Sequence, residues 1–145
     1  MNLSEHFTLE ELVASQLAAR HRIDNRPGPA ELANLRRVAA VLEQVRALVS
    51  GPVLVSSGYR SPAVNAAVGG AKSSAHLQGL AADINVPGFT PRALAQRIRD
   101  SDIQFDQLIY EGTWVHIGLA AGALRREVLT ATFAPGGVVY SQGLA

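Results

Sequence analysis

The chain contains no cysteine, which excludes disulfide staples, zinc fingers, iron–sulfur clusters and thiol catalysis. Any metal site must therefore draw on His, Asp or Glu, and there are only four histidines. No apolar stretch approaches the roughly 20 residues needed to cross a bilayer. An excess of one charge is lacking too: 13 Lys and Arg oppose 12 Asp and Glu, a formal net charge of +1. That balance rules out a strong general field for nucleic acid or an anionic membrane. Charged residues are 17% of the chain and hydrophobic ones 48%, a globular mix with too few charges for a disordered tail. The start, MNLSEHFTLEEL, carries early acids and lacks the basic opening and apolar run of a secretory signal. Synthesis in the cytoplasm without direct export is the expectation.

What is present suits one domain of 145 residues. Thr8-Leu9-Glu10-Glu11 reads as a capping box opening a helix from Leu9 to about Ala19. The segment His21 to Pro29, rich in Asp, Asn, Pro and Gly, reads as a loop, and Pro29 suits a helical first turn. Leu32, Leu35, Val38, Ala39, Leu42, Val45 and Val49 recur at three- and four-residue steps, predicting a long core helix that ends near Ser50-Gly51. Val53-Leu54-Val55 predicts a strand, ended by a turn over Ser57–Pro62, and Val68 to Ser74 reads as a loop. Ala81 to Val86 predicts a second strand, and Thr90-Pro91 opens a helix to about Asp100. Gln107 to Tyr110 and Trp114 to Leu119 predict a hairpin turning at Gly112-Thr113. The tail around Pro135-Gly136-Gly137 suggests an edge hairpin. The expected fold is a single α+β domain over residues 1–145, with N-terminal helices packed on a small, largely antiparallel sheet.

Two histidines stand out, His76 in Ser74-Ala75-His76 and His116 in Trp114-Val115-His116. A catalytic zinc takes three protein ligands and keeps one open position, and two imidazoles with one carboxylate are a common set. His76, Asp83 and His116 supply such a set, with Gly79 permitting the turn that folds one onto the other. Any single histidine reads as an ordinary core or surface residue. Asp83 is harder to dismiss, because a carboxylate among Ala81, Ala82, Ile84 and Val86 costs several kcal/mol unless paired or metal-bound. In the hairpin, Glu111 falls opposite Trp114 and shares the face of His116, diagonal to it at roughly 7–8 Å between backbones. Glu111 then stands where a general base is needed, or is simply an exposed hairpin glutamate. Arg60 suits a substrate carboxylate or carbonyl, or is a surface arginine. Ser74 donates to the same substrate or caps a turn, and Trp114 is a pocket wall or, by default, packed core.

Ser74-x-His76-x-x-Gly79-x-Ala81-x-Asp83 followed by Trp114-Val115-His116 resembles the zinc site of the peptidase M15 family. Ser57-Gly58-Tyr59-Arg60-Ser61-Pro62-Ala63-Val64-Asn65 resembles the segment that family places upstream, and the likeness runs from about residue 7 to 119. Members include D-Ala-D-Ala carboxypeptidases and dipeptidases and phage L-alanyl-D-glutamate endopeptidases, on a fold shared with hedgehog signalling domains. The resemblance implies one zinc ion held by His76, Asp83 and His116, with Arg60 anchoring substrate and Ser74 a lesser contact. Many members carry the catalytic acid three residues before the last zinc histidine, where this chain has Thr113; Glu111 is the nearest acid.

These readings lead to zinc-dependent hydrolysis of a peptidoglycan stem-peptide bond, with Glu111 as base. The rival is a non-catalytic zinc-containing wall-binding or phage-structural module of the same fold, which needs no acid beside the metal. Release to the cell wall as a phage or prophage lysis protein, or a tail-associated role, fits the missing export signal.

Overall fold

Thr8 opens helix α1 (Leu9–Val13) with the expected reciprocal capping box: its side chain accepts from Glu11 N, and the Glu11 side chain accepts from Thr8 N. The helix is shorter than expected. Ala14 turns extended, and Ser15 caps a separate helix α2 (Gln16–His21) by accepting from Ala18 N. A local cap here overrides the helix-forming sequence that surrounds it. These observations come from a computed structural model that describes residues 1–145.

Helix α3 (Pro29–Val49) begins at the anticipated proline and buries Leu35, Val38, Ala39, Leu42 and Val45. The stripe of apolar residues faces the sheet and the helix α5 (Pro91–Arg99), which buries Leu94, Ala95 and Ile98. Strand β1 is Leu54–Ser57, shifted by one residue at its start from the expected Val53, and it pairs antiparallel with β2 (Ala81–Asn85) through a bulge near Ser57. Between them lie two elements that the sequence reading left as turn and loop. One is helix α4 (Pro62–Ala67), capped by Ser61; the other is a 3₁₀ turn, Ala75–Gln78, capped by Ser74.

Strands β3 (Gln107–Tyr110) and β4 (Val115–Gly118) form the expected hairpin, with Tyr110 opposite Val115 and Glu111 N donating to Trp114 O at 3.1 Å. Strands β5 (Glu127–Ala134) and β6 (Gly137–Gln142) form the edge hairpin. The sheet order is β1-β2-β4-β3-β5-β6, and the single parallel pairing is β3 with β5. The domain is thus α+β with a mostly antiparallel sheet. Side chains alternate along each strand. Ala82, Ile84, Leu108, Val115 and Ile117 go into the helical core, while Asp83, Ile109 and His116 take the opposite face. No helix is long and apolar enough to cross a membrane.

Candidate metal centre

The register of β2 and β4 sets Asp83 directly opposite His116. His116 Nδ1 lies 3.1 Å from Asp83 Oδ1, and the same oxygen is 3.3 Å from His76 Nε2. The two imidazoles meet edge to face with centroids 5.1 Å apart. One ligand atom from each of His76, Asp83 and His116 falls within 4.8 Å of the others, and all three residues are buried.

His76 comes from the 3₁₀ turn, and three contacts fix it. Ser74 Oγ accepts from His76 N at 3.2 Å, the His76 carbonyl accepts from Arg60 N at 3.0 Å, and Nδ1 lies 2.6 Å from Gly58 O. A carbonyl only accepts, so Nδ1 carries a proton, which leaves Nε2 as the nitrogen that faces Asp83 and is available to a cation. Gly79 ends the turn with φ +70, and a Cβ there would stand 2.6 Å from the backbone oxygen of Glu31 in α3. Only glycine lets the chain pass that close to α3 and swing directly into β2.

Burial works to raise the Asp83 carboxyl, but hydrogen bonding and charge from His116 and His76 outweigh it and hold the group well below the usual carboxylate range. It is therefore ionised, the form a metal ligand needs. Two histidines converging on one buried carboxylate oxygen make a donor set that fits a divalent cation.

Glu111 closes β3 and points to the same centre, its Oε2 3.8 Å from His116 Nδ1 and its side chain 14% exposed. That separation is beyond hydrogen-bond range, so the histidine does not occupy the carboxylate. Burial raises the Glu111 carboxyl, the nearby His116 charge opposes this, and Asp83 adds to it. The net upward shift makes Glu111 a better proton acceptor than a solvent-exposed glutamate.

Arg60, Ser74, His76, Asp83, Glu111 and His116 all line one cavity of about 830 Å³. Arg60 is aimed by Asn65, whose Oδ1 accepts from Nη1 at 3.1 Å and whose Nδ2 donates to Ala71 O at 3.0 Å. Asn25 secures the same segment, accepting from Ser61 N at 2.7 Å and donating to Tyr59 O at 3.1 Å and Val13 O at 2.7 Å. Ser74 does cap its turn, and it also lines the cavity.

Trp114 departs from expectation. It is half-buried on the cavity wall, its ring 6.4 Å from that of Phe133, rather than part of the helical core. Alternation puts it on the metal face with His116, away from Val115 and Ile117. Sequence reasoning also missed Gly58 and Asn65, which act through a backbone carbonyl and a loop contact that no spacing rule reveals. His6, given no role from sequence, ties the N-terminal segment to α3 through Glu43 at 2.7 Å.

Residues 5–118 match the family model described as Peptidase M15. No curated protein matches the chain.

Proposed function

The chain belongs to the peptidase M15 family, and from that premise we propose that it is a zinc-dependent peptidase hydrolysing a peptidoglycan stem-peptide bond, of the D-Ala-D-Ala carboxypeptidase or L-Ala-D-Glu endopeptidase type. The observation that supports this most is the convergence of His76, Asp83 and His116 within 4.8 Å beside the partly buried carboxylate of Glu111. Those three residues would hold one zinc ion, which when bound supplies Lewis-acid polarisation of a carbonyl and of water.

The remaining work belongs to the chain's own groups. The Gly58 carbonyl keeps the His76 proton on Nδ1 and the ring in one orientation. Glu111, beyond hydrogen-bond range of His116 and raised by burial, accepts a proton from water and returns it to the leaving amine. Arg60, aimed by Asn65, fixes a substrate carboxylate or carbonyl at one end of the cavity. The Ser74 oxygen accepts from His76 N and retains its own proton to donate to substrate. A non-catalytic wall-binding or phage-structural module would have no use for a partly buried carboxylate at Glu111 beside the metal ligands. Release to the cell wall in phage or prophage lysis, or with a tail, is the setting we propose.

The test is incubation of the zinc-loaded protein with defined muropeptides, followed by mass spectrometry of the new ends. One new C-terminus at an alanine is expected. Intact muropeptides after incubation with fully zinc-loaded protein would overturn the reading.

A further inference from the structure

The strands β5 and β6 lie beyond the residues that match the family, yet they extend the metal-bearing face of the sheet. A cross-strand row runs from Asp83 to His116, to Ile109 and to Leu129. On β6, Val138 pairs with Phe133 and Tyr140 with Ala131, which puts Val138 and Tyr140 on that same face and Val139 on the other. Val138, Tyr140 and Leu129 line the cavity that holds the metal ligands, whereas Val139 does not. The four residues Phe133, Val138, Val139 and Tyr140 are 43–60% exposed, an unusual density of apolar surface for one hairpin.

The hairpin is anchored at its open end. At its root, Arg125 grips Asp106 through Nε–Oδ1 at 2.9 Å and an Nη2–Oδ2 contact at 2.8 Å. Arg126 donates to the carbonyls of Ile103 at 3.0 Å and Ser101 at 2.8 Å. At the same open end Thr130 Oγ1 donates to Gly143 O at 2.8 Å and accepts from Ala145 N at 2.9 Å. Burial raises the Tyr140 phenol and the Glu111 charge adds to the shift, so the two groups share one electrostatic space.

The sheet order puts Arg60 and Ser74 on the β1 side of the metal ligands and Leu129, Val138 and Tyr140 on the other, where Asp106 and Arg125 at the root of the hairpin also line the cavity. We infer that Tyr140 and Val138 are specificity-determining residues, seating the aliphatic side chain of the substrate residue that contributes the scissile carbonyl. This deepens the proposed function and rests on it. In both candidate bonds that residue is an alanine, whose methyl group would lie against the hairpin while Arg60 holds the portion beyond the bond. A substrate lacking the methyl that fills an apolar pocket is cleaved with a kcat/KM lower by roughly tenfold or more.

The test compares wild type with Tyr140→Ala, Val138→Ser and Val139→Ser, all zinc-loaded, on stem peptides whose carbonyl-side alanine is kept or replaced by glycine. Zinc content and circular dichroism confirm that each variant is folded. Wild type and Val139→Ser should prefer alanine over glycine about tenfold in kcat/KM, and Tyr140→Ala and Val138→Ser should lose most of that preference. Binding is read separately from Trp114, the only tryptophan, which lines the same cavity. If wild type cleaves neither peptide, the proposed function fails, and the alanine-to-glycine ratio in Kd from Trp114 fluorescence then decides the inference. Preference retained in Tyr140→Ala, equal loss in Val139→Ser, or no binding of either peptide by wild type would overturn it.

Discussion

Asp83 and His116 face each other across β2 and β4, with Oδ1 and Nδ1 3.1 Å apart, and the His76 ring closes on the same oxygen from a separate turn. Two neighbouring segments, the turn of His76 and the strand of Asp83, therefore share one buried polar centre with a third, distant in sequence, that carries His116. A metal held there binds the folded state alone and so adds to its stability. Chelation of the zinc-loaded protein should lower Tm by on the order of 10 °C, reflecting about 4 kcal/mol when free zinc is roughly 1,000 times Kd. Differential scanning calorimetry with and without chelator measures this. In Asp83→Ala the chelator should make no difference.

Glu111 Oε2 stands 3.8 Å from His116 Nδ1, outside hydrogen-bond range, and is placed to handle a proton rather than to ligate. Glu111→Gln keeps the shape and removes the basicity. The variant should retain full zinc while turnover falls roughly 100- to 10,000-fold. Steady-state kinetics on a cleaved muropeptide, with metal content measured on the same sample, gives the answer. Unchanged turnover would reassign the base.

Arg60 is held by Asn65 at the polar end of the cavity and takes no part in the metal set. Arg60→Ala should raise KM about 10- to 100-fold with zinc content unchanged, the loss of a charge-assisted hydrogen bond to substrate. Arg60→Lys should recover little, since a point charge does not reproduce a planar fork.

Gly79 carries φ +70 and leaves 2.6 Å between a would-be Cβ and the Glu31 backbone oxygen. Gly79→Ala meets a backbone conformation costing about 1–2 kcal/mol and also a clash with helix backbone that cannot swing aside. Urea unfolding should show a loss above about 2 kcal/mol. Zinc affinity should weaken as well, because the displaced turn carries His76.

The elements that strong local signals define were legible in the sequence. The periodic apolar stripe marked α3, and the Gly112-Thr113 turn fixed the β3–β4 register, from which the shared face of Glu111 and His116 followed. The incongruity of Asp83 among apolar neighbours flagged the centre. What escaped was set by short or distant interactions. Ser15 divides α1 from α2 by a single cap within a stretch whose residues all favour helix. Helix α4 is six residues long, announced only by Ser61-Pro62, the same pairing of cap and proline that Thr90-Pro91 gives α5. The parallel pairing of β3 with β5 joins strands with β4 and a connecting segment between them, and no local pattern encodes it. The cavity-facing side of Val138 and Tyr140 depends on that pairing.

The most direct test of the account is zinc stoichiometry, measured by elemental analysis after dialysis against trace zinc. One zinc per chain is predicted for wild type and for Glu111→Gln, and close to none for His76→Ala, Asp83→Ala and His116→Ala. Wild type that takes up no zinc, or a full complement in any of the three alanine variants, would contradict it.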